Sequence, residues 1–188
     1  MTTYVALLRA VNVRGKNRVS MTELRAALGA DGLESVSTVL QSGNVLLRST
    51  EPEAAVARRV RNTIEKAFAL RVGVIVRSAS EVAAIASRNP FLAAAETVEP
   101  TTLHVAFLAE HPSDATVSTL DPARSPLDAF VVDGREVFLR YPNGSGRSQL
   151  TLGYIERTLG TQGTARNWRT VERLATLAEG ESATQAAH

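Results

Sequence analysis

The hydrophobic pattern between residues 3 and 77 alternates strand-like runs with helical periodicity. The order of those segments constrains the fold more than any other feature of the chain. Residues 3–11 (TYVALLRAV) are an apolar run of strand length. Ser20-Met21-Thr22-Glu23 is a capping-box pattern, which predicts a helix over Met21–Leu28, stopped by Gly29 and Gly32. Ser35–Gln41 and Asn44–Ser49 are strand-like, and Ser42-Gly43 between them fits a tight hairpin. Thr50 with Glu53 repeats the capping pattern. Val56, Val60, Ile64 and Phe68 then recur every four residues, one face of a long helix. Leu70–Arg77 (LRVGVIVR) predicts another strand. The order β-α-β-β-α-β is that of the split, ferredoxin-like unit.

The rest of the chain repeats this order. Ser78 and Glu81 cap a helix through Ala86, which Asn89-Pro90 ends. Thr102–Ala109 reads as a strand and Ser113–Leu120 as a short helix. Ala129–Val132 and Val137–Tyr141 form a hairpin around Asp133-Gly134, a type I′ signal. Pro142–Arg147 is a loop, Ser148–Leu159 a helix ended by Gly160, Thr161–Arg166 a short strand and Trp168–Leu177 a last helix. The fold class expected is α+β, two ferredoxin-like halves with mostly antiparallel sheets. The expected division is 1–78, 79–178 and a disordered tail at 179–188. The repeat is one of element order; no residue-level identity joins the halves by inspection.

Strand direction follows from this order. The first strand ends where the loop 12–19 (NVRGKNRV) begins, and the hairpin turn Gln41-Ser42-Gly43-Asn44 returns to the same end of the sheet. So does the link near Leu70-Arg71. Two polar, glycine-containing loops far apart in sequence become neighbours. The first offers Arg9, Asn12, Arg14, Lys16, Asn17 and Arg18, many donors and few acceptors, and Gly15 permits positive φ. Such a set suits a phosphate, a carboxylate or a nucleic-acid backbone, and equally a solvated basic turn in which the asparagines are turn formers. It matches neither a P-loop nor a GxGxxG pattern. PNGSGRS at 142–148 has the same character, with Asn143 and Arg147; the alternative is a flexible loop ended by Ser148 as an N-cap. ARNWRT at 165–170 adds Arg166, Asn167 and Arg169 around Trp168, which reads as a core anchor before a base-stacking platform.

Absences limit the chemistry. Cysteine is absent, which excludes disulfides and thiolate chemistry. No apolar stretch is long enough for a membrane span and no secretory signal is visible, so a reducing cytoplasm is the expected location. The three histidines, His104, His111 and His188, lie far apart, and no metal-ligand spacing appears. No GxSxG elbow is present, and no catalytic residue, metal or cofactor is assigned. The net charge of +2 is weak support for a polyanion partner.

With these residues laid out, the chain resembles the bacterial family of unknown function DUF1697 over most of residues 3–178. The family pattern L-L-R-G-I-N-V-G-G-K-N stands here as Leu7-Leu8-Arg9-Ala10-Val11-Asn12-Val13-Arg14-Gly15-Lys16-Asn17. M-x-x-L-R is Met21 with Leu24-Arg25, Q-S-G-N-V is Gln41–Val45, and N-P-F is Asn89–Phe91. Later motifs are Leu103–Leu108, Pro142–Ser148 and Thr164–Thr170. Ala10 and Arg14 stand where the family has glycine. The resemblance implies an α+β fold of ferredoxin-like halves, and it implies no activity. Its motifs fall on the polar loops selected above.

Three functions are open at this stage. One is binding or turnover of a small phosphorylated or carboxylated ligand, such as a nucleotide. Its site would be Arg9, Asn12, Lys16, Asn17, Gln41, Ser42 and Asn44, with Asn143, Arg147, Arg166, Asn167 and Arg169 closing over it. That reading expects the four loops to meet in one pocket. The second is a nucleic-acid-binding module, against which stand the aliphatic strands and 5% aromatic content. The third is a structural homo-oligomer without a ligand.

Overall fold

A computed structural model describes residues 1–13, 15, 17–92 and 98–186. The N-terminal apolar run becomes strand β1 (Thr2–Leu8). It is shorter than the apolar run because Ala10 and Asn12 take left-handed backbone, with φ of 53° and 55°, which no strand accommodates. Helix α1 (Met21–Ala30) starts as expected, with the Ser20 hydroxyl accepting from the Glu23 N–H. Gly29 does not stop it. The helix runs on to Asp31, whose N–H bonds the Ala27 and Gly29 carbonyls, and Gly32, at φ 86°, makes the exit.

Strands β2 (Glu34–Val39) and β3 (Asn44–Ser49) pair from Val39 opposite Asn44, so the turn encloses residues 40–43 rather than two residues. Helix α2 (Glu53–Phe68) is capped by Pro52 without a side-chain bond, not by Thr50. Val56, Val60 and Ile64 are fully buried along its length, as their spacing predicts. Strand β4 (Val74–Ser78) starts later than the apolar run 70–77. In α3 (Ala79–Ser87) the capping box is reciprocal: the Glu81 N–H donates to Ser78 Oγ, and the Ser78 N–H donates to Glu81 Oε2 at 2.8 Å.

The second series is β5 (Leu103–Leu108), α4 (Asp114–Val117), β6 (Ala129–Asp133), β7 (Glu136–Arg140), α5 (Leu152–Leu159), β8 (Gly163–Asn167) and α6 (Trp168–Ala186). The β6–β7 turn residues are Gly134 and Arg135, and positive φ occurs at Gly134 alone. A type I′ turn needs it at both, so the turn follows the glycine-first pattern of type II′ instead. Helix α5 begins at Leu152 because Thr151, not Ser148, accepts from the Tyr154 N–H. Gly160 ends it at φ 69°. Helix α6 continues well past Leu177, through residues that composition had marked as a disordered tail.

Each series folds into a four-stranded antiparallel sheet, in the orders β2-β3-β1-β4 and β6-β7-β5-β8. These are the same ferredoxin-like order, so the chain is α+β with two such halves. In the first, Tyr4, Ala6, Leu8, Val45, Leu47, Val74 and Val76 form one core with Leu24, Leu28, Val56, Val60 and Ile64 from α1 and α2. In the second, Ala106, Leu108, Val137 and Leu139 pack with Leu150, Ile155 and Leu159. The connection from Thr102 into β5 is secured by the Tyr141 N–H on the Thr102 carbonyl.

Strand register uncovers what inspection of the sequence did not. Val5 lies between Leu46 and Arg77, and Val105 lies between Phe138 and Arg166. With these rows superposed, Val5, Ala6 and Leu8 match Val105, Ala106 and Leu108. Val45, Leu47 and Arg48 match Val137, Leu139 and Arg140, and Arg77 matches Arg166. Both matched arginines, Arg77 and Arg166, are buried.

The chain divides into two units, Met1–Ile85 with the chain from Arg173 on, and Ala86–Glu172. The division falls near the end of α3 and again within α6, whose residues from Arg173 on belong with the first unit. There the Ser37 hydroxyl donates to Glu181 Oε1 at 3.2 Å.

Candidate functional site

At the end of the first sheet where β1 finishes, the three expected segments are joined by hydrogen bonds. The Leu8 N–H donates to the Gly43 carbonyl at 2.8 Å, and the Arg9 N–H to the Gly73 carbonyl at 2.9 Å. Val11 and Val19 are buried and anchor the two ends of the loop. Asn12 ties the loop to the turn. Its amide donates to the Val19 carbonyl at 3.0 Å and to the Gln41 carbonyl at 2.9 Å, and its Oδ1 accepts from the Val19 N–H at 2.9 Å. The Asn12 N–H donates to the Asn17 carbonyl, and the Asn17 amide donates to the Ala10 carbonyl. Juxtaposition of the basic loop with the QSGN turn is thus a hydrogen-bonded fact.

The same bonds redefine what the selected side chains do. The Asn12 amide has both donors in use. Asn44 is fully buried, and its amide donates to the Val39 carbonyl and to Ser42 Oγ, so it closes the hairpin. Asn17, Gln41 and Ser42 are exposed and Arg9 is half-buried. Lys16 and Arg14 lie outside the described residues. Gly15 has φ 78° and open space around it, so glycine answers a backbone need there, not a close approach.

The backbone at Ala10 accounts for the glycine of the family pattern. At φ 53° an alanine carries the penalty that a glycine avoids. We expect Ala10→Gly to raise stability by about 1 kcal/mol. An upward shift in the denaturation midpoint would measure it, and a loss of stability would contradict the backbone argument.

In the second unit, Leu103 opposite Arg140 and His104 opposite Asn167 put the start of β5 beside the ends of β7 and β8. The PNGSGRS loop and the Arg166–Arg169 segment therefore leave the same end of this sheet. Arg166 is buried, and its Nη1 donates to Thr164 Oγ1 and the Ala165 carbonyl, both at 2.8 Å. Burial pushes its guanidinium down to about 10, because desolvation disfavours the cation. Asn167 Oδ1 accepts from the Thr170 N–H and hydroxyl, capping the start of α6. Trp168 is buried and acts as a core anchor. Arg169 is exposed.

The PNGSGRS loop borders a cavity. Its walls come from two segments, Ser125, Pro126, Leu127 and Asp128 and then Asn143, Gly144, Arg147 and Ser148, around an open volume of about 180 Å³. The sequence singles out Asn143 and Arg147 but not residues 121–128. The signal was there: Ser125-Pro126-Leu127-Asp128 has proline at the second position of a type I turn, and the Asp128 N–H donates to the Ser125 carbonyl.

This opposing loop is held firmly. Ser125 Oγ donates to Asp128 Oδ2 at 2.5 Å and accepts from the Gln149 N–H. Arg124 lies 4.0 Å over the Tyr154 ring and donates to the Gln149 carbonyl. The Asp121 N–H donates to the Tyr154 hydroxyl. Tyr141, at the base of the PNGSGRS loop, donates to the Leu150 carbonyl and meets the His104 ring edge-on at 5.3 Å. Burial, and then the charge of Asp128, raises the Tyr141 phenol above its usual value. Burial lowers His104, opposed by a backbone hydrogen bond at Thr102. Both groups stay neutral at pH 7, so Arg147 and Asp128 are the charges that line the cavity.

Other classes of site have less to stand on. Among the described residues no three His, Asp or Glu side chains cluster as metal ligands, and no helix is long and apolar enough to cross a membrane. The first sheet offers no aromatic platform of the kind that single-stranded RNA modules use. The face away from α1 and α2 carries Val5, Leu7, Leu46, Ile75 and Arg77, all buried.

Comparison with known proteins agrees with the fold. The conserved bacterial protein SP0830 from Streptococcus pneumoniae superposes with a TM-score of 0.74 at 22% sequence identity, covering 95% of this chain and 99% of that one. No curated protein matches the chain. The model of a family described as a protein of unknown function, DUF1697, matches residues 1–138, so the chain belongs to that family.

Proposed function

We propose that the second unit binds a small anionic ligand in the cavity between residues 125–128 and 143–148. The observation that carries this reading is the exposed guanidinium of Arg147 on a cavity wall, with the Asn143 amide and the Ser148 hydroxyl beside it. Arg147 forms no ion pair among the described residues, so its donors remain available to a ligand. A planar guanidinium suits carboxylate or phosphate oxygens taken two at a time. The volume of about 180 Å³ suits a small molecule.

Thermal shift with inorganic phosphate and short carboxylates tests this. A ligand at a hundred times its Kd stabilises by about 2.7 kcal/mol. We expect a rise in Tm with at least one of these anions, abolished by Arg147→Ala and kept by Arg157→Ala, an exposed arginine away from the cavity. No shift with any of them, or an unchanged shift in the Arg147 variant, would refute the proposal.

A further inference from the structure

The cavity carries a second charge that an anion site alone does not need. Asp128 lines the wall opposite Arg147, yet among the described residues neither forms an ion pair with the other or with a third group. A carboxylate in that position repels a simple anion and weakens any site built for one. Asp128 is also not free to swing away. Ser125 Oγ holds its Oδ2 at 2.5 Å, and the Asp128 N–H is fixed on the Ser125 carbonyl. Among the described residues the other carboxylate oxygen accepts no hydrogen bond, so Asp128 keeps an open acceptor on the cavity wall.

Building on the anion reading above, we infer that the ligand is a small zwitterion of the α-amino acid class. Its carboxylate meets Arg147 and its ammonium meets Asp128. Such a ligand gains at both walls, whereas a plain anion gains at one and loses at the other. The Asn143 amide and the Ser148 hydroxyl supply neutral contacts, and Pro126 with Leu127, the latter 68% exposed at the rim, offers an apolar wall for the ligand's own side chain.

The test pairs each amino acid with the same molecule lacking its amine. Calorimetric titration would compare glycine with acetate, L-serine with 3-hydroxypropionate and L-leucine with 4-methylpentanoate. We expect at least one amino acid to bind about tenfold or more tightly than its counterpart. Asp128→Asn keeps the shape and a partner for Ser125 while removing the charge. It should weaken that amino acid about tenfold and leave its counterpart equal or tighter, a change of sign that a loosened loop cannot produce. If the deaminated acids bind as well as the amino acids, the zwitterion inference falls and the anion reading stands. If Asp128→Asn weakens both members of a pair alike, Asp128 is a structural residue only and the inference likewise falls. If L-glycerate, with a hydroxyl in place of the serine ammonium, matches L-serine, the donor is a hydroxyl and the inference is wrong. If neither member of any pair binds, both readings fail together.

Discussion

Replacing Gly43 by alanine is expected to destabilise the protein by about 3 kcal/mol. Two penalties combine. The backbone at Gly43 has φ 74°, a left-handed conformation that costs an alanine about 1 kcal/mol or more. The new methyl would also stand 2.3 Å from Val11 Cγ2 and 2.8 Å from Leu8 Cβ. Val11 could turn its side chain, but the Leu8 Cβ is fixed by a backbone that the Leu8 N–H bonds to Gly43 itself. Relief therefore requires breaking the strand pairing at the site's end of the sheet. Gly15→Ala is the matched control: it shares the positive φ, at 78°, and has nothing within 4 Å. It should lose only about 1 kcal/mol. Urea denaturation of both variants measures the difference. Equal losses would show that the close approach at Gly43 has no energetic weight.

Asn12 is the second position with a large expected effect. Its side chain makes three hydrogen bonds, two to carbonyls of the loop and turn and one to the Val19 N–H. Removing it leaves those groups to solvent or to nothing. Each net bond is worth about 1 kcal/mol, and more where the orphaned group stays buried. Asn12→Gly isolates this contribution, because glycine takes φ 55° without penalty. We expect a loss of about 2 kcal/mol, with faster hydrogen exchange at the Val19 N–H. Asn12→Ala should lose about 1 kcal/mol more, for the strained backbone. A glycine variant as stable as the parent would mean that the clamp is incidental. The result bears on how the family motif is read, since an asparagine that holds a loop together is not one that contacts a ligand.

The sequence carried the architecture well because periodicity reports burial. β1, β3, β4 and β5 were visible as apolar runs and α2 as a four-residue repeat, while α1 and α3 were visible from their capping pairs, and the Ser78–Glu81 cap formed as its spacing predicts. Boundaries were less legible. Gly29 reads as a stop, but a helix tolerates one glycine when Leu24 and Leu28 remain buried on its inner face. Ser148 reads as a cap, but its hydroxyl instead accepts from the Leu150 N–H in the loop before Thr151.

The internal match between halves was hidden for a different reason. The spacing between matched residues changes from one strand to the next, because the connecting loops differ in length. Only hydrogen-bonded register brings Arg77 and Arg166 to the same row. At the candidate site, Arg147 and Asn143 were legible from a glycine-rich strand–helix loop. Asp128 was not, because a carboxylate in a short turn looks like ordinary turn chemistry until the opposite wall is known.

The grouping of α6 from Arg173 on with the first unit has a kinetic consequence during synthesis. A unit made of residues up to Ile85 and from Arg173 on is interrupted by the 87 residues of the other. At about 5–20 residues per second, the ribosome takes roughly 4 to 17 seconds to make that insert. Over that interval the segment 1–85 waits without the C-terminal part of α6, while the inserted unit becomes available for folding in one continuous stretch. The half that begins first is thus the half that finishes last.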